Sequence, residues 1–252
     1  ELEKILNMDI PIEKINNIND MIDEKDLKIG FLIIATNKYI KFVKPLVDSI
    51  NKYFLNNYKK TIFCFTDQLD YELQNNVVKI YQEHMSWPMP TLKRYEIFYK
   101  NKEKYENIDI LYYIDADMLI NDTIGEEIIP NENGLLAVIH PGYFKDKIQT
   151  YERNPLSKAF VNYNHYVYHC GGVQGGYKEK YLEVCKTLMD NINEDMKNGI
   201  IAVWHDESHR CKDKGRVSQA ADKSPIARRG PSGASMLPSA IPALGRFHQP
   251  AL

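Results

Sequence analysis

The sequence is short of the features that mark membrane, secreted or nucleic-acid-binding chains. Its 252 residues contain four cysteines, Cys64, Cys170, Cys185 and Cys211, with no Cys-x-x-Cys spacing. Scattered single cysteines speak against a disulfide scaffold and a zinc site. They fit reduced, buried thiols, so a cytoplasmic protein is expected. No apolar run is long enough to span a membrane. The opening Glu1-Leu-Glu-Lys4 lacks the basic-then-apolar order of a secretion signal. Net charge is −2, too small for a nucleic-acid footprint. What is present is ordinary globular composition: 44% hydrophobic and 26% charged residues, with 17 tyrosines. That length makes one large domain or two small ones.

One stretch stands out, Ile110-Leu-Tyr-Tyr-Ile-Asp-Ala-Asp-Met-Leu-Ile120. An apolar run that reads as a buried strand stops at two carboxylates, Asp115 and Asp117. Residues i and i+2 of a strand share a face. Adjacent carboxylates repel unless something positive lies between them. Mg²⁺ or Mn²⁺ takes carboxylate oxygens and commonly bridges to phosphate. A metal–diphosphate site at the end of a central strand is therefore expected, and an acidic turn is the plainer alternative.

Around this stretch, strands and helices alternate. Ile29–Thr36 and Thr61–Asp67 read as buried strands, and Val77–Tyr81 as a third. Between the first two, Leu46, Val47, Ile50 and Phe54 supply a helix face, with Pro45 suited to the first turn. This spacing predicts a parallel α/β sheet. Thr91 is a candidate N-cap for a helix from Leu92 to about Tyr105, with Lys93 and Arg94 in its first turn. Cations there oppose the helix dipole; a nearby phosphate would explain them, and a solvated surface pair is the alternative. Leu135–Ile139 is another strand. His169-Cys-Gly-Gly-Val-Gln-Gly-Gly176 has four glycines and, taken alone, reads as a flexible loop. A helix is predicted over about 178–197, and Ile200–Val203 is a last apolar run before Trp204-His-Asp-Glu-Ser208. Near the start, Ile5, Ile12, Ile15, Ile18 and Ile22 suggest a helical segment within residues 1–27.

Composition switches after His209. Every tyrosine and asparagine lies before that point, and five of seven arginines lie after it. The first 209 residues carry 24 Lys and Arg against 32 Asp and Glu, and the last 43 carry 8 against 2. Residues 210–252 have no helical or strand period and are expected to lie outside the domain, which would span 28–209.

Taken in order, the motifs resemble one family. They are Thr66-Asp67, Trp87 with Leu92-Lys93-Arg94, Asp115-Ala-Asp117, His140-Pro-Gly-Tyr143, Thr150-Tyr-Glu-Arg153, Gly171-Gly-x-x-Gly-Gly176 and Trp204-His-Asp-Glu-Ser208. Together they are similar to the family-six retaining glycosyltransferases, the histo-blood-group A and B type. The resemblance covers about residues 28–209. It implies an α/β chain with the type-A glycosyltransferase fold, a Rossmann-like mixed sheet flanked by helices in a single domain. It implies transfer of N-acetylgalactosamine or galactose from a UDP-sugar, in α-1,3 linkage, to a galactose-containing oligosaccharide. Some bacterial relatives have Asn-x-Asn and need no metal; this chain keeps both aspartates and so resembles the Mn²⁺- or Mg²⁺-dependent branch. The vertebrate relatives' membrane anchor is not expected here.

Site roles follow from the same resemblance. Asp115 and Asp117 would hold the metal. Thr36, Tyr39, Arg94, Asp115, Cys170, Gly171, Gly172 and Asp206 would bind the donor, with Tyr39 stacked on uracil. Small residues at 170–172 would leave room for an N-acetyl group. His140 and Trp204 would position the acceptor, and His205 is left as structural. Glu207 would act at the anomeric carbon, as a nucleophile or by stabilising oxocarbenium-like charge. Family members continue past this motif with a helix, a strand and a basic segment that closes over the donor. Arg210 onward does not match them, so a UDP-sugar-binding domain with impaired catalysis is an alternative. Another Asp-x-Asp transferase, for a different nucleotide, is a third reading.

Overall fold

A computed structural model describes residues 27–131, 133–139, 151–162, 168–212 and 244–246. The expected N-terminal segment, His140 and most of the C-terminal tail lie outside the described residues. Among those described, six strands form one sheet flanked by helices, in a mixed α/β fold.

Alternation along the strands builds two cores. β1 (Lys28–Ile34) sends Phe31 and Ile33 to one face of the sheet and Leu32 to the other. The first face is covered by α1 (Ile40–Tyr53), whose Ile40, Val43, Leu46, Val47 and Ile50 are all buried. Phe31, Phe54 and Tyr112 meet there with ring centroids 5.0–5.7 Å apart. α1 starts earlier than expected, so Pro45 sits inside it rather than in the first turn. The apolar stripe begins at Ile40 and Val43, and burying it offsets the hydrogen bond that Pro45 cannot donate.

β2 (Lys59–Thr66) and β3 (Val77–Tyr81) extend the sheet in parallel from β1. On the other side β1 pairs in parallel with β4 (Ile110–Ile114). The predicted helix over 92–105 is broken into pieces. A short α2 (Met89–Leu92) and α3 (Arg94–Lys100) meet at Lys93, and a 3₁₀ turn follows over Lys102–Tyr105. Thr91 is no N-cap; it lies within α2, and its hydroxyl donates to Pro88 O at 2.7 Å. Lys93 at the joint donates to Glu96 and to Asn193.

Beyond β4 come β5 (Met118–Ile120) and β6 (Leu135–Ile139). The glycine run is no loop. His169–Tyr177 forms β7, buried from His169 to Gly176 and antiparallel to both β4 and β6. The glycines are there for close approach. A Cβ on Gly175 would lie 2.4 Å from Leu111 O, and one on Gly176 would lie 2.5 Å from Gly134 O. The sheet order is therefore β3-β2-β1-β4-β7-β6. α4 (Lys178–Lys197) matches its predicted span and covers the second face together with α3.

α5 (Asp206–Lys212) crosses the compositional boundary without interruption. Arg210 and Cys211 are buried, and Arg210 donates to Cys170 O at 2.7 Å and to Leu136 O at 3.3 Å. The change in composition at His209 is thus not the end of the packed structure. Leu244–Arg246 (β8) pairs antiparallel with β5.

Candidate active site

The carboxyl ends of the parallel strands open on a cavity of about 370 Å³. Parallel α/β sheets place ligands at such ends, where connections diverge to opposite faces. β1 delivers Thr36 and Tyr39, the chain after β3 delivers His84 and Trp87, and β4 delivers Tyr113, Asp115 and Asp117. Arg94 enters the same wall from the first residue of α3.

Strand alternation is not what aligns the two aspartates. β4 ends at Ile114, and Asp115-Ala-Asp117 is a tight turn in which Met118 N–H donates to Asp115 O at 3.2 Å. Both side chains are half-buried in the cavity wall. Tyr113 donates its hydroxyl to Asp115 Oδ1. Asp115 N–H donates to Gly172 O, which pins the turn to β7.

Arg94 gathers the charged groups. Only 5% exposed, it donates from Nη1 to Gly171 O at 2.8 Å. Nη1 also stands 3.0 Å from Asp206 Oδ2, and Nη2 lies 3.5 Å from Asp115 Oδ1. The guanidinium plane lies over Tyr113, 4.2 Å from the ring centroid. Burial works against its charge, but Asp206, Tyr113 and Asp115 outweigh burial and hold the guanidinium firmly protonated. The balance is less favourable for Asp206. Its burial, only partly offset by Arg94, pushes the carboxyl up to about 6.

Glu207 comes from the start of α5, 36 residues after Gly171 of β7, and its Oε2 accepts Gly171 N–H at 2.7 Å. The turn before it is unusual: Trp204 and His205 both adopt positive φ, 58° and 53°. Consecutive left-handed non-glycine residues cost energy and are held only where surrounding contacts impose them. Here Glu207 N–H donates to Trp204 O and Val203 N–H to Glu152 Oε2, and the His205 ring meets Trp87 edge to face at 5.0 Å. Ile200–Val203 is not a strand; Ile201, Val203 and Trp204 reach solvent.

The structure therefore brings Arg94, Asp115, Gly171, Gly172, Asp206 and Glu207 together. Thr36, Tyr39 and Asp117 line the same cavity. Cys170 is buried and serves as a backbone acceptor for Arg210. The two glycines have a reason beyond room for a sugar. A Cβ on Gly172 would lie 2.6 Å from Asp115 Oδ2, and one on Gly171 would lie 3.3 Å from both Arg94 and Glu207. A side chain at Gly172 would need the ends of Asp115 and Met118 to shift.

The sequence model of glycosyltransferase family 6 matches residues 13–214. The chain belongs to glycosyltransferase family 6. It is 29% identical over 211 residues to histo-blood group ABO system transferase 2 of Rattus norvegicus, covering 79% of this chain and 62% of the relative. It is 30% identical over 197 residues to globoside α-1,3-N-acetylgalactosaminyltransferase 1 of Canis lupus familiaris, covering 73% and 56%. With O-antigen biosynthesis glycosyltransferase WbnI of Escherichia coli it shares 27% over 187 residues, covering 72% and 79%. The chain thus spans about three fifths of the length of the mammalian relatives.

This family-6 chain also holds site residues that its motifs do not reveal. Tyr113 carries both Arg94 and Asp115, yet in sequence it is one more apolar strand residue. Gln174 donates to Gly171 O and accepts from Tyr95; its place among four glycines was the available signal. Asp195 of α4 accepts from Ser157 Oγ and Lys158 N, and its Oδ2 lies 3.4 Å from His209 Nε2. Nothing local in the helix sequence announces that role.

Proposed function

We propose that this domain is a retaining glycosyltransferase that moves N-acetylgalactosamine or galactose from a UDP-sugar, in α-1,3 linkage, to a galactoside acceptor. One observation carries the reading: Arg94 joins the Asp-Ala-Asp turn to the Asp206-Glu207 helix start at the strand-end cavity. A donor diphosphate at that turn would set its sugar toward Glu207. The relatives' names, which include an α-1,3-N-acetylgalactosaminyltransferase, support the same chemistry.

A divalent ion, Mn²⁺ or Mg²⁺, fits the residues present. The donors are carboxylate oxygens, and Gly172 leaves clear the space beside Asp115 Oδ2. Among the described residues no cluster of three or more His, Cys, Asp or Glu side chains would hold a metal. Asp115 and Asp117 would therefore share the ion with donor phosphate oxygens, as small hard cations allow. When bound, the ion would supply a Lewis acid for charge on the departing diphosphate. The rest falls to the chain. Arg94, held by Gly171 O and Asp206, aims Asp115. Gly171 N–H fixes Glu207 Oε2, leaving the other carboxylate oxygen for the anomeric carbon. Tyr39 offers a ring to the base, Asp206 an oxygen to the donor sugar, and the exposed Trp204 a surface to the acceptor.

Incubation with a galactoside, Mn²⁺ and either UDP-N-acetylgalactosamine or UDP-galactose tests the reading. An α-1,3-linked product identified by NMR is expected from the parent chain, with most of it lost in Glu207→Ala while UDP binding persists. No transfer from either donor, or parent-level transfer by Glu207→Ala, would overturn the assignment.

A further inference from the structure

The two sides of the strand-end cavity differ in kind. The wall formed by the turn after β4 and the start of α3 is charged: Asp115, Asp117 and Arg94. The wall after β1 and β3 presents Thr36, Tyr39 and His84, a neutral hydroxyl, a phenol and an imidazole. A ligand that suits both has an anionic part and a flat, neutral, hydrogen-bonding part. His84 is the member of this set that no motif accounts for.

His84 is solvent-exposed but not loosely held. Its chain leaves the sheet directly after Gln82, whose N–H donates to Thr66 O at 3.0 Å. Its Nδ1 lies 2.9 Å from Thr36 Oγ1. Thr36 is buried in turn, at the end of β1. A surface histidine with one nitrogen bound to a buried hydroxyl is aimed. The bond leaves Nε2 as the remaining polar atom of the ring. A hydroxyl can donate or accept. When Thr36 donates to Nδ1, Nε2 carries the proton and donates; when Nδ1 donates to Thr36, Nε2 accepts. The pair can therefore meet either a carbonyl or an N–H, and a pyrimidine imide edge has both.

We infer that His84, oriented by Thr36, hydrogen-bonds the nucleoside of the donor and contributes to donor-nucleotide selection. The inference rests on the proposed UDP-sugar reading and extends it from the diphosphate to the base. It makes His84 a binding residue for the donor, with Thr36 as the positioning residue behind it.

Calorimetry with UDP, UMP and Mn²⁺-pyrophosphate separates this role from a structural one. Loss of one hydrogen bond should weaken UDP and UMP binding alike in His84→Ala, by about 5–10-fold. Mn²⁺-pyrophosphate, which has no base, should bind as it does to the parent. His84→Gln keeps a donor and an acceptor and should recover most of the UDP affinity. Thr36→Val should show a smaller loss in the same direction. In steady-state assays the donor KM should rise with kcat nearly unchanged. UDP affinity within two-fold of the parent in His84→Ala overturns the inference. So does an equal loss of pyrophosphate binding, or a lowered unfolding temperature with no rescue by His84→Gln, since either assigns His84 a structural role. A parent chain that binds no uridine nucleotide overturns the proposed donor and this inference together; a parent that binds UDP while His84→Ala binds it equally removes this inference alone.

Discussion

Thr36, Tyr39 and His84 line the β1–β3 side of the cavity, while Arg94, Asp115 and Asp117 line the β4 side, and different forces hold the two groups. On the first side, strand ends and one short turn do the placing. Asn37, at φ 52°, donates its N–H to Asp67 Oδ1 at 2.7 Å, and the 3₁₀ turn over Asn37–Tyr39 follows directly. On the second side, two acids, Asp115 and Asp206, converge on one buried cation and Glu207 joins through Gly171, across gaps of 77 residues from Arg94 to Gly171 and 36 from Gly171 to Glu207. The first wall needs no buried ion pair, although its hydrogen bonds also join residues 30 and 48 apart in sequence. A charged wall needs distant parts of the chain to be correct together, because each buried charge is costly without its partner.

Removing the shared partner should break that contrast most severely. Arg94→Met leaves Asp206 and Asp115 without the cation they share and Gly171 O with Gln174 as its remaining donor. Taking one member from a buried ion pair typically costs about 3–5 kcal/mol. Chemical denaturation should show a loss of that size. A loss under about 1 kcal/mol would mean that the charged side does not depend on Arg94.

The next effect is set by pH. Asp206 titrates in the folded protein at about 6, above the ordinary carboxylate value of 3.8. Between those values the folded state keeps a proton that the unfolded chain has released. This group's contribution to stability is therefore highest below pH 4, falls as pH rises to about 6 and is flat beyond. The decline should be on the order of 2–3 kcal/mol relative to Asp206→Asn, which has no such titration. Urea denaturation of both proteins at intervals from pH 4 to pH 7 measures it; parallel curves would place the Asp206 pKa near its ordinary value.

Gly172→Ala sharpens the comparison at a single methyl. The added carbon would stand 2.6 Å from Asp115 Oδ2 and 2.8 Å from Met118 Cε. The ends of both side chains must shift to admit it, which costs about 1 kcal/mol, the low end for overpacking. Mn²⁺-dependent UDP binding should weaken along with stability. The expectation that glycine here sets the donor sugar predicts something different: a shift toward UDP-galactose with metal affinity intact. Donor competition read by mass spectrometry, beside Mn²⁺ titration, decides between them.

What could be read from the sequence follows the same division. The apolar runs of β1, β2 and β4 and the stripe of α4 are local patterns, and they located the sheet, the cavity edge and the Asp-Ala-Asp turn. β7 was misread as a loop because glycine signals freedom when seen alone. Its meaning came from Leu111 O and Gly134 O, which lie across the sheet. The boundary at His209 misled for a related reason. Composition averages over many residues, whereas Arg210 is held by two carbonyls, on Cys170 and Leu136. Glu207 and Asp206 were found only because the order of motifs resembled a family. Their approach to Arg94, Asp206 directly and Glu207 through Gly171, is a property of the folded chain that no periodicity encodes.

The smallest expected effect concerns the turn that presents Glu207. Trp204 is 53% exposed and adopts φ 58°, so its backbone is strained while its side chain buries little. Trp204→Gly removes the left-handed penalty of about 1–2 kcal/mol. It also gives the unfolded chain more freedom, which takes back about 0.5–1 kcal/mol. The variant should therefore unfold within about 1 kcal/mol of the parent, on the stable side. If Trp204 receives the acceptor, the acceptor KM should rise and the donor KM should not. A destabilised variant would mean that the ring packs more than its exposure suggests. Unchanged acceptor kinetics would mean that the strain at Trp204 serves only to aim Glu207. Strain retained where relief is available, beside a carboxylate held by Gly171, is expected of a turn kept for what it positions rather than for the stability it adds.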